Sequence, residues 1–413
     1  MSVEKIKLAS HKTCTGCMAC VDACSFGALR SFIDKDGHLY VKMISEKCTH
    51  CGKCSKICPI INNYSYQRKG GISRPYAGWA NDEKLRMQSA SGGIFAALAS
   101  FTLQENGFIV GAIMNGCSVQ HIVTNDAADL PSLQGSKYQQ GEMVGVYRKV
   151  SELLKSGNMV LFSGTGCQVG ALYSFLAGKK YEGQLITVDL ICGGFPSLLP
   201  LKALRDSYSN SIKKIVSFRD KTQGWRSVGY SFSLRIANKE DIVSNLGDKN
   251  LVLRCFSSSF LNRSSCLSCR YAFSSRQSDI TIADYWGVEE HSSEHFKGVS
   301  LVITHSSAGE DYLNKADITL KPTFWNKFIN RNPRMILGNS KFYNLHPGRV
   351  FAPWLFSHLS YSNLCKIYGV SEKRGMLGFP FMVSSFVIRK ISNIFFKRTL
   401  KSKIKQLNLN GFK

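Results

Sequence analysis

The sequence predicts an α+β chain in two unequal parts, a small cysteine-rich unit at the N-terminus followed by a larger mixed α/β domain. Three observations carry this reading. A cysteine run from Cys14 to Cys24 recurs from Cys48 to Cys58. From Tyr76 onward, short apolar runs alternate with stretches of helical periodicity. The 25 residues from Arg389 to Lys413 hold eight Lys or Arg and no acid, which sets the C-terminus apart.

Composition narrows the classes. The chain has 413 residues, 44% hydrophobic, with 53 Lys+Arg against 28 Asp+Glu and a net charge of +25. That length suits two or three domains of roughly 100–200 residues each. The start, Met1-Ser2-Val3-Glu4-Lys5, lacks an apolar run behind a basic start. A cytoplasmic setting is therefore expected, at most peripheral to the inner face of the membrane, with the 15 cysteines free for metal. The longest apolar candidate, Met376 to Ile388, contains Gly378 and Pro380 and falls short of the roughly 20 residues a span needs. No transmembrane helix is expected. Nucleic acid is not expected as a partner either, because basic residues occur along the whole chain and no zinc-finger, homeodomain or RNA-binding signature is present.

In the first part, Cys14, Cys17, Cys20 and Cys24 are spaced by 3, 3 and 4, and so are Cys48, Cys51, Cys54 and Cys58. Three thiolates on a tight loop can hold three irons of a cubane, but the loop cannot fold back to the fourth corner. The fourth ligand must come from the other run, as in the bacterial dicluster ferredoxin arrangement. This gives one [4Fe-4S] cluster to Cys14, Cys17, Cys20 and Cys58, and a second to Cys48, Cys51, Cys54 and Cys24. Pro59 after the fourth cysteine fits that arrangement and Ser25 departs from it. Zinc-type Cys-x-x-Cys pairs are the rival, disfavoured by two identical runs. Residues 1–62 thus read as a 2[4Fe-4S] ferredoxin-type unit, a one-electron wire that implies an endpoint.

A polar stretch from Asn62 to Pro75 reads as a linker. Beyond it the pattern predicts strands at Tyr76–Ala80, Phe108–Met114, Val119–Val123, Met159–Phe162 and Leu185–Ile191, with helices at Ser91–Gln104, Glu142–Lys155 and Gln168–Leu176. Ile212–Phe218 and Val228–Ile236 read as paired strands, and Ile280–Ala283 and Ser300–Thr304 as short buried ones. The sheet is expected to be mixed.

Several segments carry chemistry. Ser91-Gly92-Gly93 offers a hydroxyl cap and bare backbone N–H groups to a phosphate at a helix start. Gly164, Gly166 and Gly170 after a strand, with Asp189 about 20 residues on, approach a dinucleotide fingerprint, but the third glycine is one position late. Cys167 falls at a helix start, where the dipole is expected to lower a thiol's pKa. Cys192-Gly193-Gly194 ends the next strand, and Cys266 and Cys269 form a Cys-x-x-Cys turn. Phe218-Arg219-Asp220-Lys221 with Gly224-Trp225, and Ala283-Asp284-Tyr285-Trp286-Gly287, complete the set.

From Tyr76 to about Thr304 these segments resemble, in the same order, the beta-subunit family of deazaflavin (coenzyme F-420) hydrogenases and dehydrogenases, for which a ferredoxin module ahead is a common companion. Gly166 replaces a proline of the family pattern, Gly193 a histidine and Ala283 a glycine. The resemblance implies a flavin-binding α/β domain over residues 76–320, with FAD expected and the deazaflavin coenzyme a further candidate. By that resemblance Ser91, Gly92 and Gly93 match the flavin phosphate loop, Ser136, Lys137 and Tyr138 a segment beside the flavin, and Arg219, Lys221 and Asp284 polar residues around the pocket. Residues 321–413 form a C-terminal extension with a basic amphipathic tail.

Subtracting the eight ferredoxin cysteines leaves seven, of which Cys167, Cys192, Cys266 and Cys269 match family cysteines and are expected to bind a third [4Fe-4S] cluster. The first two follow consecutive strands, which in a parallel sheet emerge on one edge. Cys117, Cys255 and Cys365 read as buried thiols. The function expected is an iron–sulfur flavoprotein oxidoreductase, exchanging electrons with a ferredoxin-like donor or acceptor and acting on a small-molecule substrate. Bacterial members with this front end suggest a setting in surface-polysaccharide biosynthesis. The alternative is an electron-transfer subunit that feeds a partner enzyme and has no substrate of its own. The basic tail, with Ile388, Ile391, Phe395, Ile404 and Leu407 near helical spacing, is expected to contact anionic membrane peripherally.

Overall fold

The computed structural model describes residues 6–62, 73–209, 212–219, 221, 224–225, 231–236, 242–246, 250–286, 293–370 and 378–406. Asp220, Gly287, Leu407 and the start of the expected strand Val228–Ile236 lie outside them.

In the N-terminal unit the sequence duplication is repeated by the backbone. Gly16 and Met18 have φ of 66° and 64°, and at the matching places of the second run His50 and Gly52 have 54° and 71°. Two left-handed residues per run wind successive cysteines about one centre. Each run then enters a one-turn helix, Ala19–Ala23 and Lys53–Ile57. Between the runs, β1 (Leu29–Ile33) and β2 (Leu39–Met43) form an antiparallel hairpin.

The larger part adds β3 (Arg74–Ala80), β4 (Phe108–Asn115), β5 (Ser118–Thr124), β6 (Val160–Thr165), β7 (Leu185–Leu190), β8 (Ile212–Ser217), β9 (Ser231–Ile236), β10 (Ile242–Leu246), β11 (Ile280–Asp284), β12 (Ser300–Thr304) and β13 (Ile318–Pro322). Eight of them form one mixed sheet in the order β13-β3-β12-β11-β7-β6-β4-β5. Its centre, β11, β7, β6 and β4, is parallel, and the outer strands are antiparallel. Val160, Leu161, Phe162, Ile186 and Val188 are all fully buried, as strands covered on both faces require. The pair expected at Ile212–Phe218 and Val228–Ile236 is the antiparallel β8–β9 of a separate three-stranded sheet. A domain edge at residue 320 falls inside β13, which pairs with β3.

Two helices start later than expected for one reason. The helices begin at Ile94 and Val146 because Gly93 (φ 84°) and Gly145 (φ 88°) occupy the turn before them. The second has no side-chain cap from its own chain neighbourhood; instead Asp22, between Cys20 and Cys24, accepts from the N–H groups of Gly145 (2.6 Å), Tyr147 (3.0 Å) and Arg148 (3.3 Å). The ferredoxin unit and the sheet share a core as well, Met18, Leu29 and Leu39 packing in one cluster with Tyr147, Val150, Phe162 and Phe175.

The C-terminal helix Gly378–Gln406 is a departure from expectation. Its 29 residues include an 18-residue window of mean hydropathy 1.2, long and apolar enough by composition to cross a membrane. Gly378 and Pro380 lie in its first turn, where proline costs no hydrogen bond, so they do not interrupt the apolar run.

Candidate functional site

Cys14, Cys17, Cys20 and Cys58 line one small hollow with Met18, Tyr40 and Pro59. Burial drives the Cys17 thiol up to about 12, and the neighbouring Cys14 and Cys58 add to it. Cys54 lies within electrostatic reach of Cys24, its partner across the runs. Backbone N–H groups of Gly16 and Ala28 donate to the sulfurs of Cys14 and Cys24 at 3.4 and 3.3 Å, a setting suited to thiolate ligands.

The second thiol set stands where the topology puts it. Cys167 and Cys192 each follow a parallel strand by two residues, after Thr165 of β6 and Leu190 of β7, so both emerge at the carboxyl edge of the sheet. Cys266 and Cys269, on the one-turn helix Ser264–Ser268 and just after it, close over that edge. Cys167 feels the charges of Cys192, Cys266 and Cys269. Amides of Gly194, Phe195 and Tyr271 donate to the sulfurs of Cys192, Cys266 and Cys269 at 3.2, 3.4 and 3.4 Å. Burial outweighs the helix start at Cys167 and pushes its thiol well up, against the expectation that the dipole would lower it. Burial there works against a lone nucleophilic thiolate. Among the described residues, no three cysteine sulfurs lie within 4.8 Å of one another. A single zinc with Zn–S bonds of about 2.3 Å would draw them closer, whereas a cubane holds its ligands wider.

Beside Cys192 opens a cavity of about 530 Å³, within the range of cofactor pockets. Of the nine expected cofactor contacts, Ser91, Gly93, Ser136, Lys137, Tyr138, Arg219 and Asp284 line it. Arg219 pairs with Asp284 at 2.7 Å, and Trp225 donates to the other oxygen of that carboxylate at 3.1 Å. Tyr138 stacks on Phe256 at 4.1 Å.

Gly92 and Lys221 stand behind the wall. The Gly92 N–H is taken by Ser300 Oγ at 2.9 Å, and a Cβ there would lie 2.5 Å from the Gly78 carbonyl. Its role is close packing on β3, while the Ser91 hydroxyl donates to the Val299 carbonyl and caps no helix. Lys221 donates to the carbonyls of Arg86, Ser91 and Lys297 at 2.5, 2.8 and 2.8 Å, which pins the Ser91 loop from outside. Asp189 is likewise structural: it pairs with Arg276 at 2.9 Å and accepts from Thr281 at 2.6 Å.

Sequence reasoning missed His121, Gln134, Gln139, Asn332 and Arg334, all in the cavity wall. Buried atoms of the first four, His121 Nδ1, Gln134 Oε1, Gln139 Nε2 and Asn332 Oδ1, have no hydrogen-bond partner. Unpaired buried polar atoms are rare, and these four are shielded from solvent although their residues line the cavity. Gly193 also has a local reason, since a Cβ there would meet Arg334 Nη1 at 2.8 Å and Phe256 at 3.2 Å. Arg334 fills the space that a side chain at 193 would take.

The two thiol centres are linked. Arg263, fully buried, donates to the Cys14 carbonyl at 3.1 Å and to the Leu39 carbonyl, and Ser265 Oγ donates to the Cys14 carbonyl at 3.0 Å. The next residue is Cys266.

The family models for the N-terminal and C-terminal parts of the coenzyme F420 hydrogenase/dehydrogenase beta subunit match residues 75–148 and 157–322, respectively. A 4Fe-4S dicluster domain matches residues 13–60. No curated protein matches the chain. A solved structure of the F420-reducing [NiFe] hydrogenase complex from Methanosarcina barkeri is similar at 18% identity and a TM-score of 0.42, over 62% of this chain and 83% of that one. With both halves of the family model matched in order behind a dicluster domain, the chain belongs to the coenzyme F420 hydrogenase/dehydrogenase beta-subunit family, a family of iron–sulfur oxidoreductase and electron-transfer subunits.

Proposed function

We propose that this chain joins its two N-terminal clusters to a third [4Fe-4S] cluster on Cys167, Cys192, Cys266 and Cys269, and through it to a flavin in the cavity, where a small-molecule substrate is oxidised or reduced. The observation that carries this reading is the contact between the Cys14 carbonyl and Ser265, adjacent to Cys266, while Cys192 of the same thiol set lines the cavity. When bound, a flavin supplies the exchange between single electrons and a hydride.

The protein's own residues would do the rest. The uncapped start of the helix Ile94–Gln104 and Lys137 favour an anionic cofactor group. His121, Gln134, Gln139 and Asn332 add polar side chains to the wall. Arg219 and Asp284, held by Trp225, fix one wall. FAD is the flavin proposed, with the deazaflavin coenzyme as the hydride partner that the family name suggests. On the resemblance to bacterial members with a ferredoxin front end, the proposal extends to a substrate from surface-polysaccharide biosynthesis.

Anaerobic purification with iron, sulfide and flavin quantitation tests the reading. About twelve irons and one flavin per chain are expected, falling to about eight irons in Cys266→Ser/Cys269→Ser. Saturation of the unmutated chain at about eight irons, or protein that takes up no flavin, overturns it. Turnover of a small molecule by the chain alone separates an enzyme from a subunit that only feeds a partner.

A further inference from the structure

The positive charge is concentrated at one end. Between Ile318 and Lys413 stand 17 Lys or Arg and a single acid, Glu372, so this stretch carries +16 of the net +25. An ordinary surface helix hides its apolar stripe and shows its polar one, but the C-terminal helix Gly378–Gln406 also shows apolar residues outward over much of its length. Its inward positions, among them Phe381, Ser385, Ser392, Leu400 and Ile404, recur at three- and four-residue spacing and are buried or half-buried. Ser385 bonds His346 at 2.7 Å, Ser392 bonds Ser340 at 2.9 Å, and Lys403 donates to the Ile336 carbonyl at 2.8 Å.

From Phe379 to Phe395 the outward positions are mainly apolar. Phe379, Phe386, Ile394 and Phe395 are 63%, 58%, 54% and 53% exposed, with Met382, Val383, Val387 and Ile391 beside them. Past Phe395 the outward positions turn basic, at Lys397, Arg398, Lys401 and Lys405. Midway, the Lys390 ammonium lies over the Phe386 ring at 4.6 Å. Leu345 and Val350, on segments packed against this helix, are themselves 73% and 59% exposed. An apolar face of this extent marks an interaction site.

We propose that this face docks on an anionic lipid surface, the apolar two-thirds of the helix seated at the boundary of headgroups and acyl chains and the basic end on lipid phosphates. Charge selects this occupant: a second copy would bring the same excess of positive charge, while an anionic bilayer complements it. Polar bonds from Ser385 to Lys403 tie the inward side to the body, so the helix lies on the membrane and does not cross it.

The test uses the full chain, purified anaerobically, and its sedimentation with vesicles of phosphatidylcholine with and without phosphatidylglycerol. Binding to the phosphatidylglycerol vesicles alone is expected, weakening as salt rises. Lys397→Gln/Arg398→Gln/Lys401→Gln should bind about a hundredfold more weakly, roughly fivefold per charge. Phe379→Ser/Phe386→Ser/Ile394→Ser should lose binding with its iron content unchanged, which shows that the body still folds. Equal binding by the variants, or none by the unmutated chain, overturns the proposal. So does a dimer in light scattering that the apolar variant splits without any vesicle binding, and so does protein that a carbonate wash cannot strip from the vesicles, since that marks a span.

Discussion

Arg263 donates to the carbonyl of Cys14 at 3.1 Å, from a segment 249 residues away in the chain. The guanidinium also lies over the Tyr40 ring at 4.1 Å and is wholly buried. It is a bolt between the ferredoxin unit and the turn that carries Cys266. Arg263→Met would take its donor from the Leu39 carbonyl and leave the Cys14 carbonyl with Ser265 Oγ alone, at about 1–3 kcal/mol. Thermal unfolding should register that loss. Stopped-flow reduction by an external one-electron donor should show the N-terminal clusters filling at the old rate and the large domain more slowly.

Asp22→Ala removes the carboxylate that caps a helix of the other part, at about 2 kcal/mol. The N-terminal unit should then become the first region cut in limited proteolysis. Protection equal to the unmutated chain would mean that the shared apolar core alone holds the two parts together.

Gly193→Ala puts a Cβ against Arg334 and Phe256 and should cost about 1–3 kcal/mol as overpacking. Arg334→Ala should relieve most of that cost, so the double variant comes out more stable than the sum of the singles. A double-mutant cycle by denaturant unfolding measures the coupling, and additivity would show that the contact is not what excludes a side chain at 193.

Burial lowers Lys137 from 10.5 to about 7. As pH rises past about 7 the free protein loses that charge, while an anionic cofactor group beside it draws the proton back. Flavin affinity should fall about tenfold per pH unit above that point, and Lys137→Met should flatten the profile. The fold does the opposite in this window: a depressed lysine makes stability rise with pH up to about 10.5. Titration of flavin fluorescence beside thermal unfolding therefore separates lost affinity from lost structure.

Much of this was legible in the sequence, and the limits have physical causes. The central strands show because Val160 to Phe162 and Leu185 to Val188 are apolar with at most a threonine between. The paired cysteine runs show because their ligand spacing is local. The helix starts at Ser91 and Glu142 were misplaced because a left-handed glycine, 93 in one case and 145 in the other, ends the preceding turn while the apolar pattern runs on through it. The apolar run at Met376 to Ile388 reads as interrupted because a proline counts as a breaker wherever it stands, though in a first turn it breaks nothing. His121, Arg263 and Arg334 carry no local signal at all, since each acts on groups that only the folded sheet edge brings near.

Arg331, Asn332, Pro333 and Arg334 line the cavity, yet all four lie past residue 322, where the match to the family ends. The chamber therefore has a floor drawn from the shared framework and one wall drawn from a segment beyond it. The lining of that wall could therefore vary without changing the cysteines or the strands that carry them. A chain shortened at the end of β13 would lose those four lining residues together with Trp325, Phe328, Met335 and Ile336, which pack in one buried cluster with Ala77, Leu301 and Ile303 of the sheet.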